Sequence, residues 1–205
     1  MKADAHKLHA QHNTPDPAEQ RLKPGATVVV QVDGTPGMLH GQAGVGIVVR
    51  NESGRVLAWH SARTVASTCN AAEYQALIAG LQFAATRFGR TRVICLSDSR
   101  LVVDQMGGRS AVRSLELQLL HQRAQQAAQR LLAVEYRFIP RTLNRLADAL
   151  AWEALGGRQR VVRSLQGGGS DADLSALGWP KPAHADLQCA QHDARLAARA
   201  QQYRG

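Results

Sequence analysis

The sequence predicts an α/β domain in which a five-stranded mixed sheet, three antiparallel strands followed by parallel ones, is flanked by helices. Two observations support this fold class. Three strand-like segments follow one another with short turns between them, which is typical of an antiparallel meander. Further along the chain, single strands alternate with helical segments, and such strands pair in parallel through right-handed crossovers. The expected order is βββαβααβα over residues 26–156.

The first three strands are predicted from β-branched and apolar segments. The run "TVVVQVDG" at residues 27–34 is typical of a buried strand, and we expect it to end at Asp33 and Gly34. Residues 44–50 and 55–64 are the next two strands, because turn-forming residues 51–54 lie between them.

Helices and two more strands follow in alternation. Residues 70–89 have helical apolar spacing, with Asn70 as the predicted N-cap and Gly89 as the C-terminal stop. The apolar segment 91–99 predicts the fourth strand, and the alternating segment 132–140 predicts the fifth. The remaining helices are expected at residues 100–108, 112–131 and 143–155.

The two ends of the chain differ from this domain in composition. Residues 1–25 are polar and contain three prolines, so we interpret them as a flexible lead-in. Residues 157–205 begin as a glycine-rich linker and end in a segment rich in helix-forming residues, which predicts a C-terminal helix. We expect this basic tail to assist nucleic-acid binding.

Composition excludes several classes of protein. The apolar content of 44% suffices for a core, and no run approaches the roughly 18 apolar residues of a membrane helix. The first twenty residues lack the apolar region of a secretory signal, and three scattered cysteines make neither a disulfide framework nor a metal cluster. We therefore expect a cytoplasmic protein. The net charge of +9 fits a polyanionic partner such as nucleic acid, with general solubility as the alternative.

Four acidic residues stand at the ends or on the inward faces of apolar segments. Asp33 and Asp98 close two strands that are predicted to be parallel neighbours, so both carboxylates should emerge at one sheet edge. Glu73 and Asp148 lie on helix faces that are expected to point toward the sheet. Divalent cations relieve the repulsion between buried acids, and oxygen ligands favour magnesium, manganese or calcium. Two such ions bridged by a carboxylate recur in phosphodiester chemistry.

Each acid has a simpler interpretation when it is taken alone. Asp33 before a glycine is typical of a turn, and Glu73 is typical of a capping box with Asn70. Asp98 fits a helix N-cap, and Asp148 fits a solvated helix surface. The joint placement of all four favours the metal site.

The four acids also lie in motifs of a known family. In order, these motifs are "VDGTPG", "STCNAAEYQALIAGL", "VICLSDSRLVVDQM" and "FIPRTLNRLADALAWEAL". Residues 26–156 resemble a complete ribonuclease H type I (ribonuclease HI) domain, which implies the ribonuclease H-like fold. The resemblance implies that the four acids bind two magnesium ions, with manganese as a substitute. It further implies a monomer without an organic cofactor that hydrolyses the RNA strand of RNA–DNA hybrids, leaving 5′-phosphate and 3′-hydroxyl ends.

The resemblance also implies roles in binding the hybrid. Asn70 would read ribose 2′-hydroxyl groups, Gly34 would let the RNA backbone approach closely, and Thr68 would contact a DNA phosphate. The alternatives are an N-cap for Asn70 and turn geometry for Gly34. The remaining expected contacts are Cys69, where the family often has a second asparagine, and Ser99, Arg100, Arg109 and Arg113.

The sequence departs from the family pattern in two further ways. Only "GGRSAV" joins the two middle helices, so the basic handle of many bacterial members is absent. The three arginines named above, or the tail, would then supply affinity for phosphates, unless they are merely solvated. No histidine lies between Tyr136 and Trp152, and Arg141 stands in that loop, as in a short archaeal-like subgroup. Because arginine is not a base at neutral pH, we expect Arg141 to have an electrostatic role in catalysis, namely in the release of product.

Two other functions are compatible with parts of this pattern. One is a non-catalytic nucleic-acid-binding domain that keeps the acids for folding or metal binding. The other is a transposase or resolvase-type nuclease with the same fold. The complete set of four acids disfavours the first, and the spacing of Asn70 and Glu73 disfavours the second.

Overall fold

A computed structural model of the protein describes residues 11–13, 22, 25–38 and 41–156. The strands are β1 (Gln11–Asn13), β2 (Thr27–Pro36), β3 (Gln42–Asn51), β4 (Val56–Val65), β5 (Arg92–Ser97) and β6 (Ala133–Phe138). The helices are α1 (Cys69–Phe88), α2 (Arg100–Met106), α3 (Leu115–Ala128) and α4 (Arg145–Ala154), and a 3₁₀ turn, Arg141–Leu143, precedes α4. None of these helices is both long and apolar enough to cross a membrane.

The strands form one mixed sheet in the order β1-β4-β3-β2-β5-β6. Strands β2, β3 and β4 are antiparallel, whereas β5 pairs in parallel with β2 and β6 pairs in parallel with β5. The five predicted strands and their mixed pairing are therefore confirmed. A sixth strand, β1, was not predicted, because three polar residues show no alternation of apolar and polar positions. It lies in the segment that we expected to be a flexible lead-in, and it pairs antiparallel with β4. The predicted C-terminal helix lies outside the described residues.

Helix α1 packs closely on one face of the central strand. Val28, Val30 and Val32 of β2 are fully buried on this face. The approach is close because Gly80 has no side chain: a Cβ there would stand 2.5 Å from a Val32 methyl carbon. Helix α3 covers α1 from outside, and Leu117, Leu120 and Ala124 are among the residues that join the same core.

Helix α4 packs on the opposite face, where two glycines of β3 have no side chains to keep the helix away. A Cβ on Gly46 of β3 would lie 2.0 Å from the carbonyl oxygen of Ala147, and one on Gly44 would lie 2.0 Å from that of Ala151. The backbone of α4 therefore rests directly on β3. A small cluster of buried apolar residues completes this layer, namely Val48, Trp59, Leu146, Ala147 and Leu150.

Hydroxyl side chains cap the N-termini of α1 and α2, and the cap of α1 is not the residue that was predicted. Thr68 caps α1, since its hydroxyl accepts a hydrogen bond from the Ala71 amide at 3.1 Å. The predicted Asn70 cap and its capping box with Glu73 are therefore wrong: Asn70 is already inside the helix. Ser99 caps α2. Gly89 ends α1 with φ of 69°, as predicted.

Replacing Gly46 by alanine should destabilise the protein by about 1–3 kcal/mol or more, because the added methyl group meets backbone atoms of α4 that cannot move aside. The free energy of unfolding in urea measures this. Gly107→Ala is the matched control, because its Cβ would meet mainly the flexible Arg109 side chain. Equal losses in the two variants would contradict the close packing of α4 on β3.

Candidate active site

A mismatch between two pairings of β2 creates an open position in the sheet. The parallel pairing with β5 ends at Gln31 and Leu96, whereas the antiparallel pairing with β3 continues to Pro36. Asp33 lies on this one-sided part of β2, and Asp98 directly follows the end of β5. The prediction that β2 ends at Asp33 is wrong, because pairing with β3 extends the strand.

Glu73 reaches the same place from the first turns of α1. Gly34 makes this possible, because a Cβ there would lie 2.1 Å from the carbonyl oxygen of Ala72. The Gly34 backbone also lowers the pKa of the Glu73 carboxyl, against larger effects that raise it. Gly34 lies within β2 with the α1 backbone against it, so the turn interpretation of this glycine is wrong.

Three of the four predicted acids converge. One carboxylate oxygen from each of Asp33, Glu73 and Asp98 lies within 4.8 Å of the others. Asp33 is only 3% exposed, and the hydroxyl of Thr35 donates a hydrogen bond to it at 3.0 Å. The second Glu73 oxygen, Oε2, is buried and accepts no hydrogen bond within the described part of the chain.

The electrostatics of this cluster disfavour several negative charges in the absence of a cation. Burial, followed by repulsion from Asp98 and Asp148, raises the pKa of Asp33 from 3.8 to about 7. Burial, followed by repulsion from Asp33 and Asp98, raises the pKa of Glu73 from 4.5 to about 8. A bound divalent cation would favour the ionised forms of both carboxyl groups and so lower both pKa values. The all-oxygen donor set and the unsatisfied Glu73 oxygen fit magnesium or manganese.

Asp148 is outside this three-acid cluster. It lies in the first turn of α4, and its Oδ1 accepts a hydrogen bond from Arg141 Nη2 at 2.8 Å. The Arg141 side chain is 76% exposed, whereas that of Asp148 is 37% exposed, so Asp148 is half-buried beside the cluster. It is nevertheless near enough to raise the pKa of Asp33.

Sequence reasoning missed Asn144, which is fully buried just before α4. Its side-chain amide donates hydrogen bonds to the Val32 carbonyl at 2.9 Å and to Asp98 Oδ1 at 2.7 Å. Asn144 therefore ties α4, β2 and one acid of the cluster together. An asparagine at the start of a helix was the available signal, but only the fold shows what its amide reaches.

The expected hybrid contacts form two groups. Thr68, Cys69 and Asn70 are exposed around the beginning of α1. The neighbouring Ser67 hydroxyl donates to Glu116 of α3, which anchors this segment.

The second group lies around α2. Ser99 and Arg100 directly follow Asp98, and the Arg100 guanidinium stacks over the Phe138 ring at 4.0 Å. Arg109 and Arg113 are exposed in the connection 107–114, which contains no helix. Arg109 pairs with Asp104 at 2.9 Å.

Comparison with known proteins supports this fold. A family model described as reverse transcriptase-like matches residues 31–154. Ribonuclease HI of Halobacterium salinarum is 34% identical over 155 residues, which cover 75% of this chain and 77% of that protein. The chain belongs to the ribonuclease HI family.

Solved structures of ribonuclease HI proteins are similar to the whole described domain. The N-terminal ribonuclease H domain of a Mycobacterium tuberculosis protein is 37% identical with a TM-score of 0.60, covering 69% of this chain and 99% of that one. Ribonuclease H1 of Halobacterium salinarum is 33% identical with a TM-score of 0.60, covering 64% and 99%. The LC11 ribonuclease H1, solved with an RNA/DNA hybrid, is 29% identical with a TM-score of 0.58, covering 63% and 96%.

Some ribonuclease HI relatives are longer proteins. A bifunctional protein of Mycobacterium tuberculosis is 37% identical over 151 residues, which are 73% of this chain. The match covers only 40% of that relative's length.

The raised pKa values of Asp33 and Glu73 predict that the metal-free protein loses stability as pH rises. Between pH 3.8 and about 7 for Asp33, and between pH 4.5 and about 8 for Glu73, the folded carboxyl holds a proton that the unfolded one releases. Unfolding therefore becomes easier across this window and levels off above it.

Thermal melts in a chelator from pH 4 to 9 measure this loss. Asp33→Asn should flatten the decline, whereas Glu52→Gln, which changes an exposed acid, should leave it as in the wild type. A decline that is equally steep in Asp33→Asn would contradict the raised pKa of Asp33, which burial and then repulsion from neighbouring acids produce.

Proposed function

We propose that this chain is an endoribonuclease that hydrolyses the RNA strand of RNA–DNA hybrids and leaves 5′-phosphate and 3′-hydroxyl ends. The observation that carries the proposal is the convergence of Asp33, Glu73 and Asp98 at an open sheet edge. The hybrid-bound LC11 relative supports the substrate, because 29% identity extends over 96% of that chain.

The three acids, together with Asp148, are proposed to hold two magnesium ions, for which manganese can substitute. Bound cations would promote ionisation of the attacking water and stabilise negative charge on the leaving oxygen. The protein supplies the carboxylates in a largely buried setting. Asn144 orients Asp98 through a hydrogen bond, and the close approach of the Gly34 backbone to the start of α1 places Glu73.

The exposed residues near α1 and α2 are proposed to bind the hybrid. Asn70 and Cys69 stand at the exposed start of α1, where Asn70 can meet ribose 2′-hydroxyl groups. Thr68 is proposed to contact a DNA phosphate in addition to capping α1. Arg100, held over Phe138, presents a positive charge beside Asp98. Ser99, Arg109 and Arg113 complete the proposed contact surface, with the Asp104 partner lowering the charge that Arg109 offers.

Wild-type protein with magnesium should cut the RNA strand of a labelled hybrid and spare duplex DNA. Asp33→Asn should lower the cleavage rate by at least about 100-fold, because loss of a direct ligand exceeds the usual effect of an outer partner. Glu52→Gln is the matched control, since it changes an exposed acid in the connection between β3 and β4. A wild type that leaves the hybrid intact, or an Asp33→Asn variant that cuts as fast, would refute the activity.

Arg141→Ala should lower kcat by about 10- to 100-fold, because it removes the partner that holds the Asp148 carboxylate. Magnesium affinity should change little, because Arg141 only donates hydrogen bonds and its partner, the half-buried Asp148, lies outside the three-acid cluster. Steady-state hybrid cleavage and calorimetric titration with magnesium separate the two quantities. Arg145→Ala, at an exposed position on the same segment, is the control, and an unchanged kcat in Arg141→Ala would dismiss the electrostatic role.

A further inference from the structure

The sheet surface next to the 3₁₀ turn is polar, although it is buried. Gln31 of β2 is 6% exposed and Arg50 of β3 is 8% exposed. Arg50 Nε donates a hydrogen bond to Gln31 Oε1 at 2.9 Å, and Gln31 Nε2 donates to the Leu143 carbonyl at 3.0 Å. A line of hydrogen bonds therefore runs from β3 through β2 to the turn.

The chemistry of Arg50 determines which way the Gln31 amide points. A guanidinium only donates hydrogen bonds, so Gln31 must turn its oxygen toward Arg50. Its NH₂ group then faces Leu143, where a carbonyl oxygen accepts. Arg50 is held in turn by the Gly54 carbonyl at 2.8 Å. In the opposite orientation, the Gln31 NH₂ group would face the Arg50 donor and the Gln31 oxygen would face the Leu143 carbonyl oxygen, so neither hydrogen bond could form.

The residue after Leu143 is the one that reaches the acidic cluster. Asn144 donates to the Val32 carbonyl and to Asp98 Oδ1. The turn is thus bound to two consecutive residues of β2, Gln31 through its side chain and Val32 through its backbone. Both contacts immediately precede Asp33.

Loss of either hydrogen bond between the turn and β2 would affect the position of Asp98. A buried donor or acceptor that loses its partner costs about 1–3 kcal/mol, so the turn would shift to recover its hydrogen bonds. Asn144 is buried within that segment and would move with it. Its 2.7 Å contact with Asp98 is the shortest of the bonds concerned, and hydrogen bonds weaken steeply when their geometry is lost.

We propose that Gln31, oriented by Arg50, is a positioning residue that docks the 141–144 turn so that Asn144 holds the Asp98 carboxylate in place for metal binding. The inference deepens the proposed function and rests on it. Gln31 touches neither substrate nor metal in this account. It acts only through Leu143 and Asn144.

Gln31→Met tests the proposal, because it keeps the length of the side chain and removes both hydrogen bonds. Gln105→Met is the matched control. Gln105 is also 6% exposed and also donates to a backbone carbonyl, that of Ala111, but it lies in α2 and bonds Tyr74 instead of the turn. Two quantities are measured on the full chain: hydrogen exchange of the Asn144 side-chain amide without metal, and magnesium affinity by calorimetry.

Gln31→Met should speed the Asn144 amide exchange at least about tenfold and weaken magnesium binding by about 10- to 100-fold, as expected for an outer partner of a metal ligand. Gln105→Met should change neither quantity beyond about twofold. Exchange or magnesium affinity equal to the wild type in Gln31→Met would overturn the positioning role. A similar loss in both variants would overturn it too, since it would reflect general loosening of the core.

Gln31→Glu is the second variant if Gln31→Met does not fold. Its carboxylate still accepts from Arg50, but it offers no proton to the Leu143 carbonyl, so the same faster exchange and weaker binding are expected. Both measurements are independent of cleavage. If the wild type binds magnesium but leaves hybrids uncut, the proposed function fails while the role of Gln31 is still decided.

Discussion

The organisation of the site depends on β2 having partners of unequal length. Because β5 stops at Ser97 while β3 continues beside β2, Asp33 keeps a rigid strand backbone and an open side. That open side is where Asp98 and Glu73 arrive. A strand that ended at Asp33 would have left the carboxylate on a loop.

Close backbone contacts then bring the helices to this opening. Gly34 admits the start of α1, and Gly44 and Gly46 admit α4, so that Glu73 and Asp148 approach from opposite faces of the sheet. This arrangement brings together carboxylates that are partly desolvated and repel one another. The fold can hold them together because the strands and helices carrying them are fixed by packing elsewhere. A divalent cation bound among the carboxylates would offset this repulsion.

Much of this was readable from sequence because it follows periodic patterns. The meander, the crossovers and the convergence of Asp33 with Asp98 depend on strand order, which apolar runs and turn residues indicate. The extension of β2 to Pro36, the Thr68 cap and the pairing of Asp148 with Arg141 were not readable, since each depends on a neighbour distant in sequence or on local competition among polar residues. Asn144, Gln31 and Arg50 were missed for the same reason.

Asp33, Glu73 and Asp98 are proposed to form a divalent-cation site, and anomalous diffraction from a crystal soaked in manganese tests this most directly. A manganese peak bonded to oxygens of all three carboxylates is the predicted result. A well-ordered crystal with manganese bound only elsewhere, and the three carboxylates free of metal, would contradict the account.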